Sequence, residues 1–289
     1  MPVIALDKLA KYFDEVKAVD GISFAIEQGE IFGFLGPNGA GKTTTIRCMM
    51  DFLRPTSGRI MILDNDACLN GVELKQNIGY LAGSVKLYDS WTGQQHIDFV
   101  RKLNSKPDNA NELIQRLNFT PLIKTKYLSS GNRQKLGVIL AFMFKPKILI
   151  LDEPTNALDP LMQNIIYEII REQTAKGSTV FMSSHNLAEV ERVCSRVGII
   201  RQGKIVTVES VNVLKEKQLY KVKVSFEDRL SQDEFSNLAG IEVIGSTDTE
   251  LTVKVKGEIA PVLQILSQHK IKNLEIGRSS LEDIFLEYY

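Results

Sequence analysis

The stretch "IFGFLGPNGAGKTTTIRCMM", residues 31–50, carries the strongest structural signal in the chain. Its first part, Ile31–Leu35, is an apolar run that predicts a buried strand, and its last part predicts an amphipathic helix. Between them, Gly36–Thr43 matches the pattern G-x-x-x-x-G-K-[ST]. Glycines allow a tight loop whose backbone N–H groups point inward, where a side chain would block a bound group. The stretch therefore predicts a strand–loop–helix unit that binds the phosphates of a nucleotide.

The side chains of this loop add specific chemistry. Lys42 supplies the charge that reaches the β- and γ-phosphates, and the Thr43 hydroxyl is suited to ligate Mg²⁺. An accidental glycine-rich turn is the alternative interpretation, but it needs neither a strand before it nor a helix after it. The predicted nucleotide-binding residues of the loop are Gly36, Asn38, Gly39, Ala40, Gly41, Lys42, Thr43 and Thr44.

A second motif, "PKILILDEPTNALDP", follows at residues 146–160. Its apolar run, Ile148–Leu151, predicts a strand buried on both faces of a parallel sheet. Carboxylates at the carboxyl end of such a strand face the ligand crevice. We expect Asp152 to hold Mg²⁺ through water and Glu153 to orient or deprotonate the attacking water. The alternative is that both carboxylates only cap the following loop.

Two helix starts near these motifs are also informative. Asp159 and Pro160 predict the N-cap and first position of a helix over Leu161–Thr174. The stretch "LSSGNRQKLG", residues 128–137, places small residues directly before a helix. Because an exposed helix N-terminus favours negative charge, this second start is a candidate anion site. A commonplace helix-start turn is the alternative.

Over residues 1–215 these motifs, in this order, resemble those of the ATP-binding cassette (ABC) ATPases. Leu128–Asn132 is similar to the family signature LSGGQ, which binds the γ-phosphate held by a second subunit. The resemblance implies that ATP is the nucleotide and that the Ser129 hydroxyl and the Gly131 N–H, with Asn132 beside them, contact the partner's ATP. Asn156–Asp159 resembles the D-loop at the dimer interface, so the resemblance gives Asp159 a cross-subunit contact as well as its cap.

The resemblance assigns further residues. The strand "STVFMSS" ends at His185, which matches the switch histidine that reaches the γ-phosphate and positions Glu153. Adenine stacking falls to Phe13, with Tyr12 as the alternative; either ring is also a candidate core aromatic. The implied catalytic residues are Glu153, His185 and Lys42, and the implied metal ligands are Thr43 and Asp152. We interpret His96 and His269 as structural, and Asn186 with Glu189 as a capping box.

One position departs from the family pattern. Gly83 follows the strand Ile78–Leu81, where the family places a glutamine that touches Mg²⁺ and the transmembrane partner. Ser84 offers a hydroxyl with a shorter reach. Residues 85–145 carry helical periodicity and are predicted to form the helical subdomain that bears the signature. Tyr88 and Trp91 in it are either contacts for a membrane subunit or ordinary packing residues.

Composition limits the remaining possibilities. Lys and Arg total 35 against 35 Asp and Glu, so no overall basic field favours nucleic acid as a partner. The start of the chain alternates as a strand does, and no apolar stretch is long enough to span a bilayer. Three cysteines without metal-like spacing indicate a reducing compartment, and we interpret all three as buried: Cys48, Cys68 and Cys194.

The last part of the chain, residues 216–289, changes pattern. Its segments predict a small α+β sandwich in βαββαβ order, with helices at residues 231–238, 259–269 and 280–289 and strands between them. It resembles the accessory domain that ends many bacterial exporter ATPases, and the resemblance implies support of dimerisation or regulation.

Together these features predict an α/β fold: a P-loop NTPase core of the ABC ATPase type with antiparallel β and α-helical subdomains, plus a C-terminal α+β domain. The implied function is ATP hydrolysis that powers export of a drug or antibiotic peptide. The implied partners are a separate membrane permease and a second ATPase subunit, with the chain on the cytoplasmic face of the membrane. A degenerate regulatory subunit and a soluble ABC protein are the alternatives.

Overall fold

The computed structural model describes residues 2–104, 106–216, 219–227, 240–256 and 258–278. The chain divides into two compact units, Met1–Glu209 and Ser210–Tyr289. The predicted domain boundary lay at residue 215. Within the described ranges, none of the helices combines the length and the apolar character that crossing a bilayer requires.

The first unit is built on a six-stranded sheet in the order β10-β9-β3-β8-β7-β6 and a four-stranded antiparallel sheet in the order β2-β1-β4-β5. The neighbours from β9 to β6 are parallel. The strands are β1 (Pro2–Phe13), β2 (Val16–Glu27), β3 (Ile31–Leu35), β4 (Ser57–Ile62), β5 (Asn65–Asp66), β6 (Ile78–Leu81), β7 (Ile148–Asp152), β8 (Thr179–Ser184), β9 (Arg196–Arg201) and β10 (Lys204–Ser210).

Strands β3, β7 and β8 are buried along their whole length, because both faces of this sheet are covered. Aromatic rings join the two sheets in the core. Phe24 of β2 stacks on Phe32 of β3 with ring centroids 5.2 Å apart, and on Phe181 of β8 at 6.1 Å. Because β3, β8 and β7 pair in parallel, their carboxyl ends lie at one edge of the sheet, where the predicted residues Gly36, Asp152, Glu153 and His185 are found.

The helices of the first unit, with one 3₁₀ turn at Thr125–Tyr127, are α1 (Lys42–Met49), α2 (Gly71–Lys75), α3 (Gly93–Lys102), α4 (Ala110–Arg116), α5 (Ser130–Phe142), α6 (Pro160–Ala175) and α7 (Leu187–Val193). Side-chain caps mark the starts of α3, α5, α6 and α7. Thr92 and Gln95 form a capping box at α3, and Asp159 caps α6 with Pro160 at its first position. The predicted helix over Leu161–Thr174 is therefore confirmed to within a residue at each end.

The second unit contains α8 (Val211–Glu216), β11 (Leu219–Phe226), β12 (Ile241–Ser246), β13 (Glu250–Lys256), α9 (Ala260–Leu266) and β14 (Ile271–Arg278). Its strands form an antiparallel sheet in the order β12-β13-β11-β14. Alternating residues of this sheet pack against α9 and form a separate core that includes Val222, Val224, Leu251, Val253, Val262 and Leu266. The helices predicted at residues 231–238 and 280–289 lie outside the described residues.

Two local predictions were wrong. Cys48 and Cys194 are buried, but Cys68 is only half-buried, because it lies in the loop between β5 and α2, where its carbonyl accepts a hydrogen bond from Arg54. The capping box of Asn186 and Glu189 does not form. Asn186 caps α7 by accepting from the N–H of Ala188, and Glu189 turns into the core.

Candidate functional site

The phosphate-binding loop lies between β3 and α1, and close backbone contacts leave no room for a side chain at two of its glycines. A Cβ on Gly36 would lie 2.4 Å from the carbonyl oxygen of Ile200, and one on Gly41 would lie 2.4 Å from that of Ala18. Gly41 also has a φ of 111°, which L side chains rarely adopt. The loop therefore packs its backbone directly against β9 and β2, a steric reason for these two glycines that the sequence pattern did not predict.

Lys42 begins α1 and is only 5% exposed. Its Nζ donates hydrogen bonds to the carbonyls of Gly36, at 2.6 Å, and Pro37, at 3.1 Å, and lies 3.7 Å from Oε1 of Glu153. Burial lowers the pKa of Lys42, while the carboxylates of Glu153 and Asp152 act in the opposite direction. The ammonium group is thus held inside the loop, where bound phosphates would provide its counter-charge.

Asp152 ends β7 and is buried in a set of oxygen atoms. Its Oδ2 accepts a hydrogen bond from the Thr43 hydroxyl at 2.9 Å, and its Oδ1 accepts one from the Ser183 hydroxyl at 2.5 Å. Hydroxyl and carboxylate oxygens suit Mg²⁺, which needs few protein ligands beside phosphate and water. The described residues contain no group of three acidic, His or Cys side chains that would hold a metal unaided.

The departure at Gly83 lies beside this pair. A Cβ built on Gly83 would lie 3.1 Å from Oδ2 of Asp152. The position where the family resemblance implies a glutamine therefore borders the predicted metal ligand, and in this chain Gly83 supplies no carboxamide there.

Glu153 and His185 lie together at the carboxyl ends of β7 and β8. Nδ1 of His185 is 2.9 Å from Oε2 of Glu153. The strand β8 ends at Ser184, one residue before the predicted end at His185. Glu153 has a φ of 50°, and its N–H donates to the carbonyl and hydroxyl of Ser183, both at 3.2 Å. This conformation is strained for a non-glycine residue, and the hydrogen bonds that the Glu153 N–H donates to Ser183 offset the strain.

The helix start at residues 128–132 is capped by a side chain and packs against the loop that contains Ala157. The Ser129 hydroxyl caps α5 by accepting from the N–H of Asn132 at 3.3 Å, and its own hydrogen remains available as a donor. A Cβ on Gly131 would lie 2.9 Å from the carbonyl oxygen of Ala157, so this start packs closely on the predicted D-loop. Asp159 caps α6 through the N–H of Met162 at 3.0 Å.

One connection here was missed by sequence reasoning. The Gln134 side chain donates to the carbonyls of Glu153, at 3.2 Å, and Pro154, at 3.0 Å. No sequence signal identifies this contact, because a buried glutamine on a helix has no characteristic spacing. Helix α5 is therefore tied to the loop that carries Glu153.

The aromatic candidates for adenine differ in exposure. Phe13 is 43% exposed, and the Nζ of Lys11 lies 5.1 Å from its ring centre. Tyr12 is half-buried, and its hydroxyl donates to Asp20 at 2.7 Å. Of the two, Phe13 presents more ring surface.

The helical segment has a small aromatic cluster. Trp91 lies 4.7 Å from the exposed Tyr88 and 5.4 Å from Phe99, measured between ring centres. The two ring nitrogens of His96 contact backbone groups, the N–H of Tyr88 at 3.0 Å and the carbonyl of Thr92 at 2.8 Å. These contacts support the structural interpretation of His96. In the second unit the ring of His269 packs edge-on to Phe226.

The fold and the loop geometry define a P-loop nucleotide-binding protein. Residues 19–156 match the family described as "ABC transporter". The chain is 32% identical over 294 residues to the ABC transporter ATP-binding protein YhcH of Bacillus subtilis, an alignment that covers 99% of this chain and 95% of that protein. The chain therefore belongs to the ATP-binding proteins of ABC transporters, and it is an ATP hydrolase of that family.

A further relative agrees with this membership, and solved structures show the same fold. The chain is 34% identical to the bacitracin transport ATP-binding protein BcrA of Bacillus licheniformis, over 74% of this chain and 72% of that protein. A solved ATP-binding subunit of an ABC transporter superposes with a TM-score of 0.69 at 24% identity, covering 74% and 92% of the two chains. A dimeric bacterial ABC transporter cassette gives 0.66 at 21% identity, with coverages of 72% and 98%.

Proposed function

We propose that this chain powers export of a drug or antibiotic peptide through a separate membrane permease. The observation that carries the proposal is the meeting of Lys42, Asp152, Glu153 and His185 at one edge of the sheet. The exporter direction and cargo class are supported by relatives such as BcrA, named for bacitracin transport, and the linearmycin resistance protein LnrL of Bacillus subtilis.

The phosphate-binding loop is assigned to ATP. Its backbone N–H groups bind the phosphates, with Lys42 at the β- and γ-phosphates and Phe13 stacked on adenine. Thr43 and Asp152 hold Mg²⁺, which when bound neutralises phosphate charge in the transition state. The residues in these roles are Phe13, Gly36, Asn38, Gly39, Ala40, Gly41, Lys42, Thr43, Thr44 and Asp152.

Glu153 and His185 are assigned to the hydrolytic step. The Glu153 carboxylate accepts a hydrogen bond from the attacking water and takes up its proton. His185 holds that carboxylate through the contact of 2.9 Å and reaches toward the γ-phosphate with its other ring nitrogen. The exposed position of His185 leaves this nitrogen accessible to a ligand.

A second copy of the chain completes each site. Ser129, Gly131 and Asn132 of one copy donate to the γ-phosphate bound by the other, and Asp159 lies along the interface. The helix cap at Ser129 and its exposure at the start of α5 support this assignment. Closure is driven by ATP because the nucleotide binds both copies only in the closed state.

The permease is assigned to the aromatic surface around Tyr88 and Trp91, and the chain is assigned to the cytoplasmic face of the membrane, where ATP is available. An exposed Tyr88 next to Trp91 and Phe99 is a compact apolar surface on a charged protein. The second unit, which lacks nucleotide-binding motifs, is assigned to dimer support or regulation.

Capture of the tagged protein from detergent-solubilised native membranes tests this function. We expect a polytopic membrane protein to co-purify, and the eluate to hydrolyse ATP. Recovery with ribosomal or DNA-bound proteins alone would instead support a soluble ABC protein. A permease complex without ATPase activity would support the degenerate regulatory subunit, for which Gly83 is the motivating feature.

A further inference from the structure

A buried carboxylate lies directly behind Glu153 and His185. Glu189 is on α7, four residues after His185, and is only 6% exposed. Its Oε1 accepts a hydrogen bond from the Thr155 hydroxyl, and its Oε2 accepts one from the Ser184 hydroxyl, both at 2.5 Å. Both carboxylate oxygens are therefore engaged by hydroxyl donors from two other parts of the chain.

The two hydroxyl donors lie close in sequence to Glu153 and His185. Thr155 follows Glu153 by two residues in the loop after β7, and Ser184 immediately precedes His185 at the end of β8. Ser184 also accepts a hydrogen bond from the N–H of Asn186 at 2.9 Å, so the backbone is fixed on both sides of the histidine. One carboxylate thus joins the two loops whose side chains must meet.

Keeping a carboxylate in this place is costly. Burial raises the pKa of Glu189, and the nearby charge of Glu153 raises it further, whereas the Ser184 and Thr155 hydroxyls and His185 lower it. Burial, followed by the charge of Glu189, raises the pKa of the nearby Tyr167 phenol to about 12. A well-packed apolar side chain would avoid the desolvation cost, so stability alone is a poor explanation for this carboxylate.

We propose that Glu189 is a positioning residue that sets the separation of Glu153 and His185 by holding Thr155 and Ser184 at once. Glu189 itself does not touch ATP or the attacking water. This inference rests on the proposed function, because it concerns the two side chains assigned there to hydrolysis. Displacement of a catalytic group by about 1 Å lowers turnover by up to about a hundredfold, which gives such a tie a measurable consequence.

The experiment compares ATPase kinetics, ATP affinity and thermal melting of the full-length chain and its variants. Glu189→Gln keeps the shape but removes the charge. Thr155→Val removes one donor at nearly constant shape, and Thr155→Ser retains the donor. Glu168→Gln, on an exposed position of α6, is the matched control for loss of a carboxylate.

We expect kcat of Glu189→Gln and Thr155→Val to fall about tenfold to a hundredfold, with KM and ATP affinity within about twofold of wild type. Thr155→Ser and Glu168→Gln should retain wild-type kcat. The double variant should lose no more than the worse single variant, because both changes break the same contact. If Glu189→Gln does not fold, the Thr155 pair decides alone.

Two results would overturn the inference. One is a wild-type kcat in Glu189→Gln or Thr155→Val. The other is a loss of kcat that is accompanied by losses of ATP affinity and melting temperature, because a purely structural role would lower all three. Glu153→Gln separates this failure from that of the proposed function. If Glu153→Gln is inactive while Glu189→Gln is fully active, only the positioning role of Glu189 is rejected. If Glu153→Gln is active, the assignment of Glu153 to hydrolysis is itself rejected.

Discussion

At the scale of single residues, the site keeps charges that are only partly neutralised. Lys42 is buried, its pKa is lowered by desolvation, and its neighbours are two carbonyls and the Glu153 carboxylate 3.7 Å away. Bound phosphates would add negative charge and raise that pKa again. The same phosphates would release Glu153 from its contact with Lys42, which leaves its carboxylate free for the attacking water.

Gly83→Ala tests the predicted metal pair of Thr43 and Asp152. The new Cβ would lie 3.1 Å from Oδ2 of Asp152, so the carboxylate must shift by a few tenths of an ångström. We expect the Mg²⁺ concentration for half-maximal ATPase activity to rise about tenfold, as for other changes that disturb a ligand's surroundings. Gly245→Ala, where the added methyl group meets no atom within 4 Å, is the control. An unchanged Mg²⁺ requirement in Gly83→Ala would remove Asp152 from its role.

At the scale of elements, α5 connects two functions. Its start carries Ser129 and packs at Gly131 on Ala157, and its first turns place Gln134 on the carbonyls of Glu153 and Pro154. A force applied to the start of α5 by a second copy would therefore be transmitted to the loop that holds Glu153. This is a contiguous route of packing and hydrogen bonds between the proposed interface and the residue assigned to hydrolysis.

Ser129→Ala separates the two roles of this start. Loss of the cap should cost about 1 kcal/mol of stability. Loss of a hydrogen bond to a charged phosphate should weaken ATP-dependent dimerisation by about tenfold or more, with ATP affinity of the monomer unchanged. Analytical ultracentrifugation in a Glu153→Gln background measures the dimer. Thr92→Ala, which removes the cap of α3, should lose similar stability without affecting the dimer; equal dimerisation of both variants would contradict the role of Ser129.

The sequence predicted the elements that follow local rules, but not the contacts between distant segments. Glycine spacing predicted the strand–loop–helix unit of β3 and α1, and the pair Asp159–Pro160 predicted the start of α6, because these are local rules. The spacing of Asn186 and Glu189 was misinterpreted, because a capping box and a helix whose third residue enters the core place these two residues at the same spacing. The contacts of Gln134 with Glu153, Ser183 with Asp152, and Glu189 with Thr155 join residues 19, 31 and 34 positions apart, so no local pattern identifies them.

At the scale of the whole molecule, the two units have separate cores, and every residue assigned to the nucleotide lies within Met1–Glu209. Within that unit the start of α5 and the phosphate-binding loop are assigned to different ATP molecules. We therefore propose that hydrolysis requires two copies of the chain, each of which completes the nucleotide site of the other. A chain with no net charge has no overall self-repulsion to oppose such pairing.

The most direct test is light scattering of the Glu153→Gln variant with Mg-ATP, together with its ATPase rate. We expect turnover to fall about 10²- to 10⁴-fold. We expect the scattering mass to double from the monomer value of 32.4 kDa, because ATP that is not hydrolysed keeps the two copies closed. A variant that remains monomeric with bound Mg-ATP, or that hydrolyses ATP at the wild-type rate, would contradict the account.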